Sequence, residues 1–131
     1  MNPPTISNIY SALENAIPDP AVGISLAHLA GDEAFSVYGT AIDPGRQLKT
    51  HYHQQGSEIY QVISGLSRML LQTQQGDTTE LQISDGDIFA IPPMTAHQLI
   101  NPGNQPLFML FSCPQSHITH DRHICTSLIS D

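Results

Sequence analysis

GRQLKTHYHQQGSEIYQVISG, residues Gly45 to Gly65, sets two histidines and a glutamate at a spacing that suits one metal ion. In an extended strand side chains alternate faces, so His51 and His53 point one way and Tyr52 the other. A turn through Gln54, Gln55, Gly56 and Ser57 lets the chain fold back and predicts Glu58 opposite the pair on the next strand. A second stretch, GDIFAIPPMTAHQLIN from Gly86 to Asn101, supplies a third imidazole. There His97 opens another strand after the Pro92-Pro93 turn, and a closed or nearly closed sheet carries it to the same interior point. Imidazole nitrogens with one carboxylate oxygen suit a single divalent manganese, iron, cobalt, nickel, copper or zinc ion, with positions left for water or substrate.

Outward from this segment, short apolar runs alternate with turn residues. GISLAHLA, AFSVYGTAI, EIYQVIS, SRMLLQT, TELQIS, DIFAIP, HQLIN and PLFMLFS read as strands. Between them, Asp43-Pro44-Gly45, Gln75-Gly76-Asp77, Asp85-Gly86-Asp87 and Asn101-Pro102-Gly103-Asn104 carry the φ preferences of tight turns. Many short strands without long helical segments favour an all-β sandwich or barrel over a parallel sheet. Before them, Ile6, Ile9, Tyr10, Leu13 and Ala16 or Ile17 recur at helical spacing, with Thr5 as a cap and Pro18 and Pro20 as the stop. That predicts one short amphipathic N-terminal helix, a lid over the barrel or a contact with a second subunit. Three parts of one domain follow: a helical arm at 1–20, a barrel at 21–113 and a tail at 114–131.

Twelve acidic residues against four basic ones give a formal net charge of −8. Such a field repels phosphate backbones and anionic membranes, so neither nucleic acid nor a membrane is an expected partner. The apolar runs stay below the roughly 18 residues of a membrane span, and MNPPTISNIY lacks the basic and apolar regions of a secretory signal. A cytoplasmic location and reduced thiols at Cys113 and Cys125 are therefore the expectation.

The two segments together resemble the paired signature motifs of the cupin superfamily. The first, G-x5-H-x-H-x4-E-x6-G, is matched by Gly45, His51, His53, Glu58 and Gly65, and the second, G-x5-P-x-G-x2-H-x3-N, by Gly86, Pro92, His97 and Asn101. Met94 stands where the second motif has its turn-shaping glycine. The resemblance implies a double-stranded β-helix, the jelly-roll barrel of that family, with His51, His53, Glu58 and His97 holding the ion inside. It also implies a homodimer paired through N-terminal segments. It does not select a reaction, because this family spans isomerases, epimerases, cyclases, dioxygenases, decarboxylases, lyases, storage proteins and sensors.

The period of two that turns His51 and His53 inward extends to Gln47 and Lys49 on one strand, and from Glu58 to Tyr60 and Val62 on the other. Lys49 and Tyr60 are thus the candidate catalytic residues, an ammonium to pair with an anionic substrate or act as an acid and a phenol to donate to a bound oxygen. Arg68 either faces water or holds a carboxylate or phosphate. His28 is expected to be structural, and Asn101 to bond backbone. The tail string SHITHDRHIC spaces His117, His120 and His123 by three, but bringing them together needs a helix that no apolar pattern supports, so a polar tail is the expectation. The leading functional expectation is Lewis-acid isomerase or cyclase chemistry on a small polar organic molecule. A metal-dependent dioxygenase is one alternative, and a non-catalytic ligand-binding or sensor barrel is the other.

Overall fold

The computed structural model describes residues 3–129. The outermost positions of the expected arm and tail, 1–2 and 130–131, lie outside them. The alternation read from the sequence becomes strands β2 (Ile24–Gly31), β3 (Ser36–Ile42), β5 (Glu58–Ser64), β6 (Leu66–Gln72), β7 (Thr78–Ser84), β8 (Ile88–Ile91), β9 (Ala96–Ile100) and β10 (Leu107–Cys113). The strand expected to carry His51 and His53 is the short β4 (His51–Tyr52), and the structure adds β1 (Ile17–Asp19) and β11 (His123–Ile124). They form two antiparallel sheets in a jelly-roll arrangement, ordered β1-β2-β3-β10-β5-β8 and β11-β4-β9-β6-β7.

Period-two patterning decides which faces meet. In β10, Leu107, Met109, Phe111 and Cys113 are buried while Phe108, Leu110 and Ser112 are partly exposed; in β5, Glu58, Tyr60 and Val62 turn inward. These side chains join Tyr38, Ile42, Met69, Ile91 and Leu99 in one core between the sheets. Each large apolar side chain fully removed from water there contributes roughly 1.5–3 kcal/mol. Glu58 is the exception on this face, a carboxyl among apolar neighbours that needs a compensating partner.

Three expectations change. The N-terminal helix α1 spans only Ile9–Leu13 and is capped by Asn8, whose side chain accepts the N–H groups of Tyr10 and Ser11 at 3.0 and 3.2 Å, so Thr5 is not the cap. Ile17 leaves the helical run because it pairs with Leu26 in the sheet, next to a proline that could not extend a helix. The turn at Gln54–Ser57 does not close a hairpin either. Strand β4 pairs with β9 and β11, whereas β5 pairs with β10 and β8, so this turn carries the chain from one sheet to the other. Lastly, the tail is not merely polar covering: His117 and Asp121 are buried, and β11 adds an edge to the five-stranded sheet. Among the described residues no helix is long and apolar enough to cross a membrane.

Candidate metal centre

His51 and His97 are direct cross-strand partners on β4 and β9. His53 follows β4 on the same side, its ring centroid 5.0 Å from that of His51. Glu58 opens β5 on the opposing sheet and reaches the three rings from across the interior. All four side chains are buried, and one donor atom from each lies within 4.8 Å of every other.

The orientation of each ring is fixed by its backbone. Nδ1–H of His51 donates to the Lys49 carbonyl at 2.7 Å, that of His53 to the Asp121 carbonyl at 2.6 Å, and that of His97 to the Thr95 carbonyl at 3.0 Å. A carbonyl oxygen only accepts, so each Nδ1 carries a proton, and Nε2 is the ring nitrogen left to face a cation. Burial pushes His51 down to about 3 and His97 to about 4, which keeps both rings neutral at ordinary pH. Burial pushes the Glu58 carboxyl upward, but the contact with His53 and the influence of His97 and His51 hold it below its ordinary value, so it stays ionised.

Three imidazole nitrogens and one anionic oxygen therefore face a common point. Buried and without a hydrogen-bond partner are His53 Nε2, His97 Nε2 and Glu58 Oε2. His53 Nε2 and Glu58 Oε2 approach to 2.8 Å without the angles of a hydrogen bond. An approach that close between an imidazole nitrogen and a carboxylate oxygen, without hydrogen-bond angles, matches neighbouring donors around one cation with bonds of about 2.0–2.1 Å. This buried cluster has the composition of a single-metal site, consistent with one divalent transition-metal ion, and hard and borderline metals both suit it.

Tyr60 is buried where the period of two placed it, its ring edge-on to His97 at 5.7 Å, and burial raises its hydroxyl well above the ordinary range. Lys49 is not brought in. It precedes β4 in an irregular stretch where Leu48 and Thr50 are buried instead, and its exposed Nζ reaches the Pro20 carbonyl at 3.4 Å. The alternation could not be extended backwards because the strand starts at His51. Arg68 pairs with Glu80 on the solvent side of β6 and β7, and His28 meets the Ser36 hydroxyl at 3.1 Å away from the cluster. Asn101 donates to the Ile42 and Gln105 carbonyls, both at 2.8 Å, as backbone support.

Two residues around the centre were not singled out by motif. Asp121 holds His53 through its carbonyl, and its carboxylate accepts the N–H groups of Gln54 and Gln55, each at 2.8 Å. His117, on a 3-10 turn at Gln115–Ile118, stacks on His53 with centroids 3.9 Å apart and planes 2° from parallel. Their only sequence signal was the histidine-rich string itself. His120 is exposed and His123 lies against Tyr52 and Asp121, so the three tail histidines do not meet. The free space at the centre is about 20 Å³, lined by His51, His53, Glu58 and Tyr60 and also by His117, Ile118 and Arg122 of the tail.

The Cupin domain family model matches residues 40–113, and the chain belongs to this family. Glucose-6-phosphate isomerase of Thermococcus litoralis is 34% identical over 92 residues, covering 64% of this chain and 47% of that enzyme. The glucose-6-phosphate isomerase of Thermococcus onnurineus is 37% identical over 92 residues, covering 64% and 48%. The chain thus spans about half the length of the curated relatives it matches. Among solved structures, a Klebsiella pneumoniae protein with a double-stranded beta-helix domain superposes with a TM-score of 0.71 at 20% identity, covering 95% of this chain and 100% of that one. The capsular polysaccharide assembling protein CapF from Staphylococcus aureus gives 0.71 at 17% identity over 79% of this chain and 30% of its own. At these identities the structural likeness concerns the fold.

Proposed function

We propose that this cupin is a metal-dependent isomerase acting on a small polar hydroxy-carbonyl compound, with His51, His53, Glu58 and His97 as the ligands of its ion. The observation that carries the reading is the set of three imidazoles, each held by a backbone carbonyl through Nδ1 and gathered with the ionised Glu58 in one buried cluster. A divalent ion held there supplies Lewis acidity to a carbonyl or hydroxyl oxygen. Phosphorylated sugars are the substrate class to try first, because the Thermococcus relatives are named for one.

The chain's own groups divide the remaining work. Tyr60 borders the centre with a hydroxyl that stays protonated, so its part is to donate a hydrogen bond to a substrate oxygen and not to take a proton. Arg122 lines the same space and is the nearest cation to it there; it is held by Asp19 through bonds of 2.6 and 3.2 Å. A free space of about 20 Å³ accommodates one water-sized guest, so a sugar-sized molecule enters when the segment carrying His117, Ile118 and Arg122 moves aside. Release of Arg122 from Asp19 would then free its guanidinium for an anionic substrate group. The free thiols Cys113 and Cys125 support a cytoplasmic setting, and the exposed Ile6, Tyr10 and Ile17 support a homodimer through the N-terminal segment.

The test is turnover of glucose 6-phosphate and related aldose and ketose phosphates by metal-loaded protein, beside a His51→Ala, His97→Ala double variant. Product formed only by the ligand-intact protein supports the isomerase. Consumption of dioxygen in place of isomerisation overturns it in favour of an oxygenase. The small free space at the centre also favours a second reading, a barrel that binds a small ligand without turnover, for which calorimetry would register binding while the ligand is recovered unchanged.

A further inference from the structure

The four-donor cluster leaves one buried imidazole unexplained. His117 is 1% exposed, and its Nε2–H donates to the Gln55 carbonyl at 2.5 Å. That bond fixes the proton on Nε2 and leaves the Nδ1 lone pair pointing inward, where it has no hydrogen-bond partner. Nδ1 lies 3.9 Å from Glu58 Oε2, too far for a hydrogen bond. An unpartnered imidazole nitrogen in the interior is unfavourable, and a ligand would offset that cost.

Near it lies the thiol of Cys113, 1% exposed at the end of β10. Glu58, Cys113 and His117 form a donor group of their own, with one donor atom from each within 4.8 Å of the others. It shares Glu58 with the three-histidine group but does not merge with it, so one ion with bonds of about 2.0–2.3 Å does not serve both.

We propose that Glu58, Cys113 and His117 form a second cation position adjoining the first, with the Glu58 carboxylate shared between them and a thiophilic divalent ion, zinc or cobalt, as its guest. The inference rests on the single-ion reading of the neighbouring cluster. Binding forms a metal–sulfur bond as the Cys113 S–H bond breaks, and the proton leaves to solvent without any change of oxidation state. Burial and the nearby Glu58 push the Cys113 thiol well up, so it stays protonated until the cation displaces that proton. Thiolate, imidazole and carboxylate together select zinc-like ions over magnesium or calcium. Carboxylate-shared pairs of ions are a known arrangement in hydrolytic and transfer sites.

The experiment is a titration of the metal-free protein with cobalt(II), read by near-ultraviolet absorption, with zinc stoichiometry measured by elemental analysis after desalting. The expected result is two equivalents of zinc and a thiolate-to-cobalt charge-transfer band. Cys113→Ala should abolish the band, and both Cys113→Ala and His117→Phe should retain one equivalent. The band should survive in Cys125→Ala, which removes the other thiol. One equivalent with no thiolate band in the wild-type protein overturns the inference, and so do two equivalents without the band. If that one equivalent disappears in His51→Ala, His97→Ala, the single-ion reading stands alone; no metal at all overturns both. The wild-type measurements decide the matter even where a variant fails to fold.

Discussion

The backbone carbonyl of Asp121 accepts the Nδ1–H of His53 at 2.6 Å, joining residues 68 positions apart. The same residue's carboxylate takes the N–H groups of Gln54 and Gln55, so one aspartate orients a histidine and anchors the turn that follows it. Outer partners of this kind change metal affinity by roughly 10- to 100-fold when removed. Asp121→Ala keeps the carbonyl but loses the anchor, and should weaken metal binding by about tenfold. Asp121→Asn, which retains acceptor oxygen, should lose less. Competition with a chromogenic chelator measures both, and unchanged affinity in Asp121→Ala would remove this role.

Replacing His51 and His97 with alanine should abolish metal binding at the four-donor centre under every reaction considered. Removing metal from the wild-type protein should lower stability, since Glu58 then stays buried without its counter-charge. Where the ion is present at about a hundred times its dissociation constant, linkage assigns it roughly 2.7 kcal/mol. Thermal unfolding with and without chelator should separate by several degrees. Coincident curves would argue against a buried ion.

Acid should destabilise the metal-free protein from near neutrality downward. His51 and His97 titrate at about 3 and 4 in the fold because they are buried, against about 6.5 when unfolded. Between those values the unfolded chain binds more protons, so stability rises with pH. It is complete above 6.5, falls as pH drops below it, and stops falling from these groups below about 3. With both rings titrating, the slope approaches about 2.7 kcal/mol per pH unit in mid-window. Urea midpoints measured from pH 7 to 4 test this, and a flat profile would contradict the neutral buried rings.

Met94 adopts φ 63°, the only non-glycine in the left-handed region among the described residues, and its N–H donates to the His53 carbonyl at 2.7 Å. The sequence placed a methionine where the cupin motif carries glycine, and the backbone keeps the glycine-like shape. Left-handed backbone costs a side-chain-bearing residue roughly 1–2 kcal/mol, partly balanced by the greater freedom of glycine when unfolded. Met94→Gly should therefore stabilise the fold by about 0.5–1 kcal/mol. A raised denaturant midpoint at constant slope is the expected reading.

Arg122 and Asp19 tie the tail to the first strand above the centre. Arg122→Ala should speed removal of bound metal by chelator while leaving the ligand count unchanged. An unaltered rate would show that the tail does not control access.

What the sequence conveyed about the site follows from how local its signals were. His51 and His53 lie two apart in one extended segment, and alternation alone put them on one face. Glu58 was legible as a donor, but its route was not, since a four-residue turn looks alike whether it closes a hairpin or switches sheets. Lys49 was misplaced because alternation carries no mark of where a strand begins. His117 and Asp121 depend on contacts across the whole domain, and a three-residue histidine spacing says nothing of which one is folded inward. The strands themselves were legible because both sheets bury one face each, and β1 and β11 were not because they are two or three residues long at sheet edges.

His51 and His97 face each other as register partners. Slipping either strand by one residue would turn its imidazole to the opposite face. A misaligned sheet thus has no metal-binding capacity, and an ion available during folding stabilises only the correct alignment. The ion would act as a proofreader of strand alignment, and chains matured without it would carry a larger share of misregistered sheets.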